Sequence, residues 1–136
     1  VEVKAGNYLR VALGQPGIDR QPLRGASDEG DLRGLVVRGC ECVVEVKAKR
    51  DMRPSLLAEY RRQTLVEREN AGAGAGVLVT WRYNHPAADA VAHVTLRDLT
   101  RLVPVEDLEP SALAWADRHW VRMTLEELCL LITDYD

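Results

Sequence analysis

Apolar residues concentrate in two neighbouring runs, Leu32–Val37 and Cys40–Lys47. Both runs are rich in β-branched residues and are separated by a short link, which predicts a β-hairpin. A helical pattern begins at Ser55, the expected N-cap, and continues to about residue 70. After a glycine-rich loop, residues 77–83 are expected to form another strand. The order strand, strand, helix, strand predicts an α/β fold, with a mixed β-sheet core flanked by helices.

The ends of the chain carry shorter signals. Residues 2–13 predict a helix that ends at Gly14. The expected inner face of this helix consists of Val3, Tyr8, Leu9 and Ala12. A short strand is expected near residues 19–23. Towards the C-terminus, residues 93–103 and 121–132 each predict a strand followed by a helix, with a threonine at the junction. Residues 86–119 are interpreted as an insertion or an extended connection.

The face on which each residue of the hairpin lies decides its chemistry. Glu45 and Lys47 are two residues apart and share one face of the predicted strand, whereas Val44 and Val46 point into a core. Asp31 stands directly before the first run. A plain two-residue loop would place Asp31 opposite Val46, on the wrong face for Glu45. A common site therefore requires an odd offset, from a three-residue loop or a bulge, which would place Asp31 opposite Glu45 or Lys47.

Two acids and a lysine at one end of a sheet suit metal-dependent cleavage of a phosphodiester. Asp31 and Glu45 are expected to bind Mg²⁺ or Mn²⁺, and the Val46 carbonyl can add a further oxygen. Lys47 is expected to contact the attacking water or the scissile phosphate. Burial would lower the pKa of Lys47, whereas the two nearby acids would raise it. The alternative is an ordinary ion pair between Glu45 and Lys47 on an exposed sheet face.

The distribution of charge along the chain is more informative about a possible DNA partner than the net charge is. The chain has 136 residues and a net charge of −3, which does not favour DNA binding. Basic residues nevertheless concentrate in the first half of the chain and many acids in the second. The candidate contacts to DNA phosphates are Arg20, Arg24, Lys49 and Arg50. The three tryptophans are spread along the chain, without the aromatic interleaving of a single-strand stacking platform.

Composition indicates the compartment. Hydrophobic residues make up 46% of the chain and charged residues 29%, as is typical of soluble globular domains. No apolar run approaches the roughly 20 residues that span a bilayer, and no signal-peptide pattern is present, so no membrane partner is expected. Three cysteines favour a reducing compartment over a disulfide framework, and their spacing does not support structural zinc. The first residue is a valine, so additional N-terminal sequence is expected.

Several short motifs occur in a fixed order along the chain. They are Glu2 with Tyr8-Leu9-Arg10, then residues 25–32, Val44-Glu45-Val46-Lys47, residues 67–72, residues 76–79 and residues 121–132. In this order they resemble the PD-(D/E)XK nuclease superfamily, and within it the small Holliday junction resolvases of actinobacterial phages and prophages. The resemblance covers about residues 2–83 and the C-terminal segment.

The resemblance implies a restriction-endonuclease-like fold and a single nuclease domain over residues 1–136. It also implies that Glu2, Asp31 and Glu45 bind the metal and that Lys47 is the catalytic lysine. The implied substrate is a branched DNA, the four-way junction, cut by a homodimer in the cytoplasm of a bacterial or phage-infected host cell. Two alternatives stay open. One is a nuclease of the same fold that acts on another DNA structure in repair or restriction, and the other is a catalytically inactive DNA-binding or structural domain.

Overall fold

The computed structural model describes residues 2–20, 31–103 and 108–134, with only the backbone of Glu2 included. Five helices and six strands alternate along these residues. The helices are α1 (Glu2–Leu13), α2 (Pro54–Ala71), α3 (Leu96–Leu102), α4 (Leu113–Ala116) and α5 (Leu125–Thr133). The strands are β1 (Asp19–Arg20), β2 (Leu32–Val37), β3 (Cys40–Lys47), β4 (Ala75–Thr80), β5 (Val91–Thr95) and β6 (Trp120–Thr124). The predicted α/β class is confirmed.

All six strands form one mixed sheet, in the spatial order β1-β2-β3-β4-β5-β6. Strands β3 and β4 are parallel and are connected through α2, as the crossover between parallel strands requires. The other neighbouring pairs are antiparallel. Since β3 and β4 are parallel, the carboxyl ends of both strands lie at the same edge of the sheet.

The two faces of the sheet are covered by different helices. On one face, Val44, Val46 and Val79 belong to a buried apolar cluster that also contains residues of α1 and α5. On the other face α2 packs closely, because an added Cβ on Gly76 of β4 would lie 3.2 Å from Thr64 of this helix. The chain thus forms three layers, with the central sheet between α2 and the pair α1 and α5.

The register of the β2–β3 hairpin has the predicted odd offset. Its turn is a plain two-residue link, Arg38-Gly39, in which both residues have positive φ (52° and 78°). Val37 pairs with Cys40 beside this turn, but further along the ladder Leu32 pairs with Val44. The shift arises at a bulge between Leu32 and Leu35, so the bulge rather than the turn supplies the offset.

Three local predictions need correction. Ser55 is not the N-cap of α2, because the helix begins one residue earlier at Pro54, whose fixed φ suits the first turn. Val3 of α1 is 52% exposed, and Ala5 takes its place on the buried face beside Leu9. Strand β4 spans Ala75–Thr80 and not residues 77–83, because part of the glycine-rich run extends the pairing with β3.

The two strand–helix units of the C-terminal third are confirmed. Thr95 and Thr124 each cap the following helix, through hydrogen bonds from the backbone N–H groups of Asp98 and Glu127. Residues 86–119 supply β5, α3 and α4, so this stretch forms part of the central sheet. Within the described residues, none of the helices is long and apolar enough to cross a membrane.

Candidate active site

Glu45 and Lys47 lie at the end of β3, on the face covered by α2. Lys47 Nζ is 2.9 Å from Glu45 Oε1, and its ammonium lies 5.0 Å from the centre of the Tyr60 ring of α2. Glu45 is only 3% exposed, whereas the Lys47 side chain is 29% exposed. The alternative of an ordinary ion pair on an exposed face is therefore wrong, because the carboxylate is buried and only the lysine reaches solvent.

Asp31 is held against the backbone on either side of Glu45. Its N–H donates to the Val44 carbonyl at 3.1 Å, and its Oδ2 accepts from the Val46 N–H at 2.8 Å. Leu32, the first residue of β2, pairs with Val44, so the same register continued by one residue places Asp31 opposite Glu45, on the same face of the sheet. The bulge thus brings the two predicted acids to one end of one face.

Glu67 of α2 is a third acid near Lys47. It is 1% exposed, on the face of α2 that also buries Tyr60 and Thr64. Its charge acts on Lys47 together with those of Asp31 and Glu45. Glu67 follows Tyr60 by two helical turns in the sequence, and this spacing places both side chains on the face of the helix that contacts the sheet.

The acids outweigh burial in setting the charge of Lys47. Burial lowers the pKa of the ammonium, but the hydrogen bond to Glu45 and the charges of Glu45, Asp31 and Glu67 raise it by more. The net effect is a pKa of Lys47 above its ordinary value of 10.5. The side chain is thus a permanent cation at neutral pH, suited to donating hydrogen bonds to an anion and not to accepting a proton.

The oxygen atoms at this site fit a hard divalent cation. Oε2 of Glu45 is buried and accepts no hydrogen bond from the part of the chain that the structure describes, so it has capacity for a cation. The N–H and carbonyl of one strand residue point to the same side, so the Val46 carbonyl is directed towards Asp31. Carboxylate and carbonyl oxygens are the ligands that Mg²⁺ prefers.

The third predicted ligand is not positioned by the structure. Glu2 begins α1, but its side chain lies outside the described residues. Among the residues that are described, no three His, Cys, Asp or Glu side chains form a group that could hold one metal ion. Asp31 and Glu45 alone would leave most of the coordination to water and phosphate oxygens, which is usual for Mg²⁺.

The predicted DNA contacts lie in different places. Arg20 is exposed on β1, where it pairs with Leu32 next to Asp31. Arg24 lies outside the described residues. Lys49 and Arg50 follow β3 and line a cavity of about 440 Å³ at the carboxyl end of β3 and β4. The structure therefore brings two of the four candidates together, beside Lys47.

This cavity, here called the basic cavity, contains further residues that the sequence analysis did not select. Arg82 and Arg122 add two cations, and Trp81 and Tyr83 add two aromatic rings. Arg122 comes from the distant strand β6 and reaches the cavity because it pairs with His93 of β5. The three tryptophans are spread along the sequence, but the fold places Trp81 among basic side chains and beside Tyr83.

Comparisons with known proteins add no relative. The chain matches no protein-family model, no curated protein and no solved structure. The assignment of a function therefore depends on the geometry of these residues and on the resemblance of their motifs.

Proposed function

We propose that this protein is a metal-dependent endonuclease that hydrolyses DNA phosphodiesters, with Asp31, Glu45 and Lys47 as its catalytic residues. The observation that carries the proposal is the buried Glu45, which pairs with Lys47 through one oxygen, while its other oxygen accepts no hydrogen bond from the described residues. Leaving a buried carboxylate oxygen without a partner costs free energy. Such an arrangement is typical of a site that binds a ligand.

The residues of the site have complementary tasks in hydrolysis. A water oxygen forms a bond to phosphorus and gives up a proton to the solvent, while the bond from phosphorus to a sugar oxygen breaks and that oxygen takes up a proton from the solvent. Negative charge increases on the phosphate oxygens in the transition state. Lys47 is charged and partly exposed, and it donates to one of these oxygens. Glu45 fixes the position of that ammonium, and the Val46 N–H fixes Asp31.

Asp31, Glu45 and the Val46 carbonyl would hold a Mg²⁺ or Mn²⁺ ion. When bound, the metal supplies charge neutralisation and a water of lowered pKa. The buried surroundings of Glu45 strengthen its electrostatic interactions compared with those in water.

The four-way junction is the leading substrate, and a homodimer the proposed active form. Both rest on the resemblance to small Holliday junction resolvases, of restriction-endonuclease-like fold. A two-fold dimer would present two sites to the two strands of a pseudo-two-fold junction.

A cleavage assay tests the activity. Junction, flap and fully paired DNA of matched length are incubated with Mg²⁺, and the initial rates are compared. Glu45→Gln and Lys47→Met are each expected to lower the rate by about 100-fold or more, because each removes a charge that acts on the transition state. Glu41→Gln is the matched control, since Glu41 is exposed on the same strand, and its rate should equal that of the wild type.

The outcomes of this assay separate the alternatives. Faster cleavage of flap or paired DNA than of junctions would assign the protein to another nuclease class of the same chemistry. Cleavage that survives in Glu45→Gln would refute the proposed site. If the wild-type protein cleaves none of these DNAs with Mg²⁺ or Mn²⁺, a catalytically inactive domain is the better interpretation.

A further inference from the structure

The basic cavity carries more positive charge than a folded protein needs for its own stability. Lys49, Arg50, Arg82 and Arg122 line it, and no aspartate or glutamate is found among its described lining residues. At its rim, Nδ1 of His85 lies 3.6 Å from Oδ2 of Asp89. Cations gathered without acids repel one another, and a bound anion removes this repulsion.

A further positive charge, on Arg61, lies beneath the floor of the cavity. His93 lies on this floor, with its Nδ1 3.2 Å from Arg61 of α2. Burial and the charges of Arg61 and Arg122 disfavour positive charge on His93, and burial together with Arg122 lowers the pKa of Arg61. The cavity therefore combines a cationic rim with a second layer of positive charge below it.

One wall of the cavity is aromatic. The Arg50 guanidinium lies over the Tyr83 ring, 4.0 Å from its centre, and Trp81 lies two residues away on the same segment. Tyr83 is 60% exposed, which leaves ring surface available for another planar group. Aromatic rings and guanidinium planes are the surfaces on which single-stranded bases stack.

The cavity adjoins the proposed catalytic residues. Thr80, which lines it, pairs with Lys47 across the β3–β4 ladder, and the Trp81 N–H donates to the Lys47 carbonyl at 2.8 Å. Neighbouring strands lie about 4.8 Å apart, so the cavity opens one strand away from Lys47. Its volume of about 440 Å³ is that of a small-molecule site and not of a duplex groove.

We propose that the basic cavity binds one unpaired nucleotide of the DNA strand whose phosphodiester lies at Lys47. Arg82, Arg122 and Lys49 hold its phosphate, and its base stacks on the wall of Tyr83 and Trp81. The choice of a DNA strand as the ligand rests on the proposed nuclease function. The cavity adds that the strand is unpaired next to the scissile bond, because a base within a duplex stack cannot enter it.

Equilibrium binding without divalent metal tests this proposal while cleavage is prevented. Fluorescence anisotropy compares a fully paired duplex with the same duplex carrying a short single-stranded gap. The wild-type protein should bind the gapped DNA at least about 10-fold more tightly, since stacking of one base gives a gain of this order. Tyr83→Leu should abolish this preference and leave the affinity for the paired duplex unchanged.

Two arginine variants test the phosphate contact. Arg82→Gln and Arg122→Gln should each weaken binding of gapped DNA about 10-fold and lower the slope of log affinity against log salt by about one. Both residues are exposed, so these variants are expected to fold. Arg38→Gln is the control, because Arg38 is exposed in the hairpin turn at the other end of β3.

Equal affinity of the wild type for both DNAs, or an unchanged preference in Tyr83→Leu, would overturn the proposal. Competition by inorganic phosphate without any preference for gapped DNA would make the cavity a simple anion site and would also overturn it. Failure of the proposed function looks different. A preference for gapped DNA without metal-dependent cleavage would support nucleotide binding in the cavity and refute the nuclease function. Cleavage without this preference would support the nuclease function and refute nucleotide binding in the cavity.

Discussion

Two ionisable residues on the same face of the sheet respond in opposite ways to their surroundings. At Lys47, burial lowers the pKa, but the neighbouring acids raise it by a larger amount, so the side chain keeps its charge. At His93, burial and the charges of Arg61 and Arg122 all lower the pKa, to about 4. One face of the sheet thus holds a charged lysine and a neutral histidine at neutral pH.

The neutral state of His93 predicts that acid destabilises the fold. An arginine can only donate, so Arg61 donates to Nδ1 of His93, and the remaining Nε2–H donates to Thr80 Oγ1 at 2.9 Å. The unfolded chain takes up a proton near the ordinary histidine pKa of 6.5, whereas the folded protein takes it up only near 4. The free energy of unfolding should therefore fall by roughly 2–4 kcal/mol as the pH drops through this interval.

Urea denaturation of the wild type and of His93→Gln, measured at about pH 7 and about pH 4.5, checks this expectation. The variant removes the titrating group, so its stability should change less between the two pH values than that of the wild type. Equal changes in the two proteins would show that other groups cause the acid sensitivity.

At the scale of single residues, the sequence predicts only what lies close together along the chain. Asp31, Glu45 and Lys47 can be placed on one face because strand periodicity and one register decide it. Glu67 and Arg122 come to the same face through the packing of α2 and the pairing of β6, and no local pattern specifies either.

At the scale of elements, the bulge in β2 decides whether the site exists. Gly34 has a φ of 85°, and a Cβ at this position would lie 2.2 Å from the Gly17 carbonyl oxygen. Gly39 in the hairpin turn has a similar φ of 78°, but nothing lies within 4 Å of the position of its Cβ. The two glycines therefore form a matched pair that separates backbone strain from a steric clash.

Gly39→Ala should cost about 1–2 kcal/mol of unfolding free energy, from the positive φ alone. Gly34→Ala should cost clearly more, because the added methyl group must also displace the Gly17 backbone. It should also slow the proposed DNA cleavage, since the bulge sets the register that places Asp31 opposite Glu45. Urea denaturation and initial rates measure both effects, and equal stability losses in the two variants would contradict this role of the bulge.

The elements themselves were largely predictable, because their patterns are strong. The hairpin, both capped C-terminal helices and the need for an odd offset follow from periodicity, turn residues and threonine caps. The start of α2 was not, because Pro54 at the first turn competed with Ser55 as a signal. The start of β4 was not predictable either, because the run of glycines and alanines before Val77 carries no β-branched or large apolar side chain that indicates a strand.

At the scale of the whole molecule, Arg68 connects three helices. From α2 it contacts Asp98 of α3 at 2.9 Å and Asp117, directly after α4, at 2.8 Å. Asp98 is fully buried and also accepts from the Gly76 N–H of β4 at 3.0 Å. Asp117 lies within residues 86–119, which were interpreted as an insertion or an extended connection. The sequence did not reveal its contact with Arg68, because the two residues are 49 positions apart.

Removing this arginine should destabilise the entire fold. Arg68→Met removes the contacts to Asp98 and Asp117 and leaves the buried Asp98 carboxylate with only the partly exposed Arg97, 3.2 Å away, which is expected to cost up to about 3–5 kcal/mol of unfolding free energy. Arg62→Met on the same helix is the control, because its ion pair with Glu59 is exposed and screened by solvent, so its stability should stay close to that of the wild type. Thermal unfolding of the three proteins compares them, and similar midpoints for both variants would contradict the role given to Arg68.

The hydrogen bond from the Val46 N–H to Asp31 gives the site its own spectroscopic indicator. A backbone amide proton normally responds to the strand beside it, but this one is held by a carboxylate that the proposed chemistry uses. Whatever neutralises Asp31, whether a proton or a cation, withdraws electron density from the oxygen that this amide contacts. The nuclear magnetic resonance signal of the Val46 amide proton thus reports whether a proton or a cation is bound to the Asp31 carboxylate, directly before β2. It does so without substrate, turnover or an introduced label.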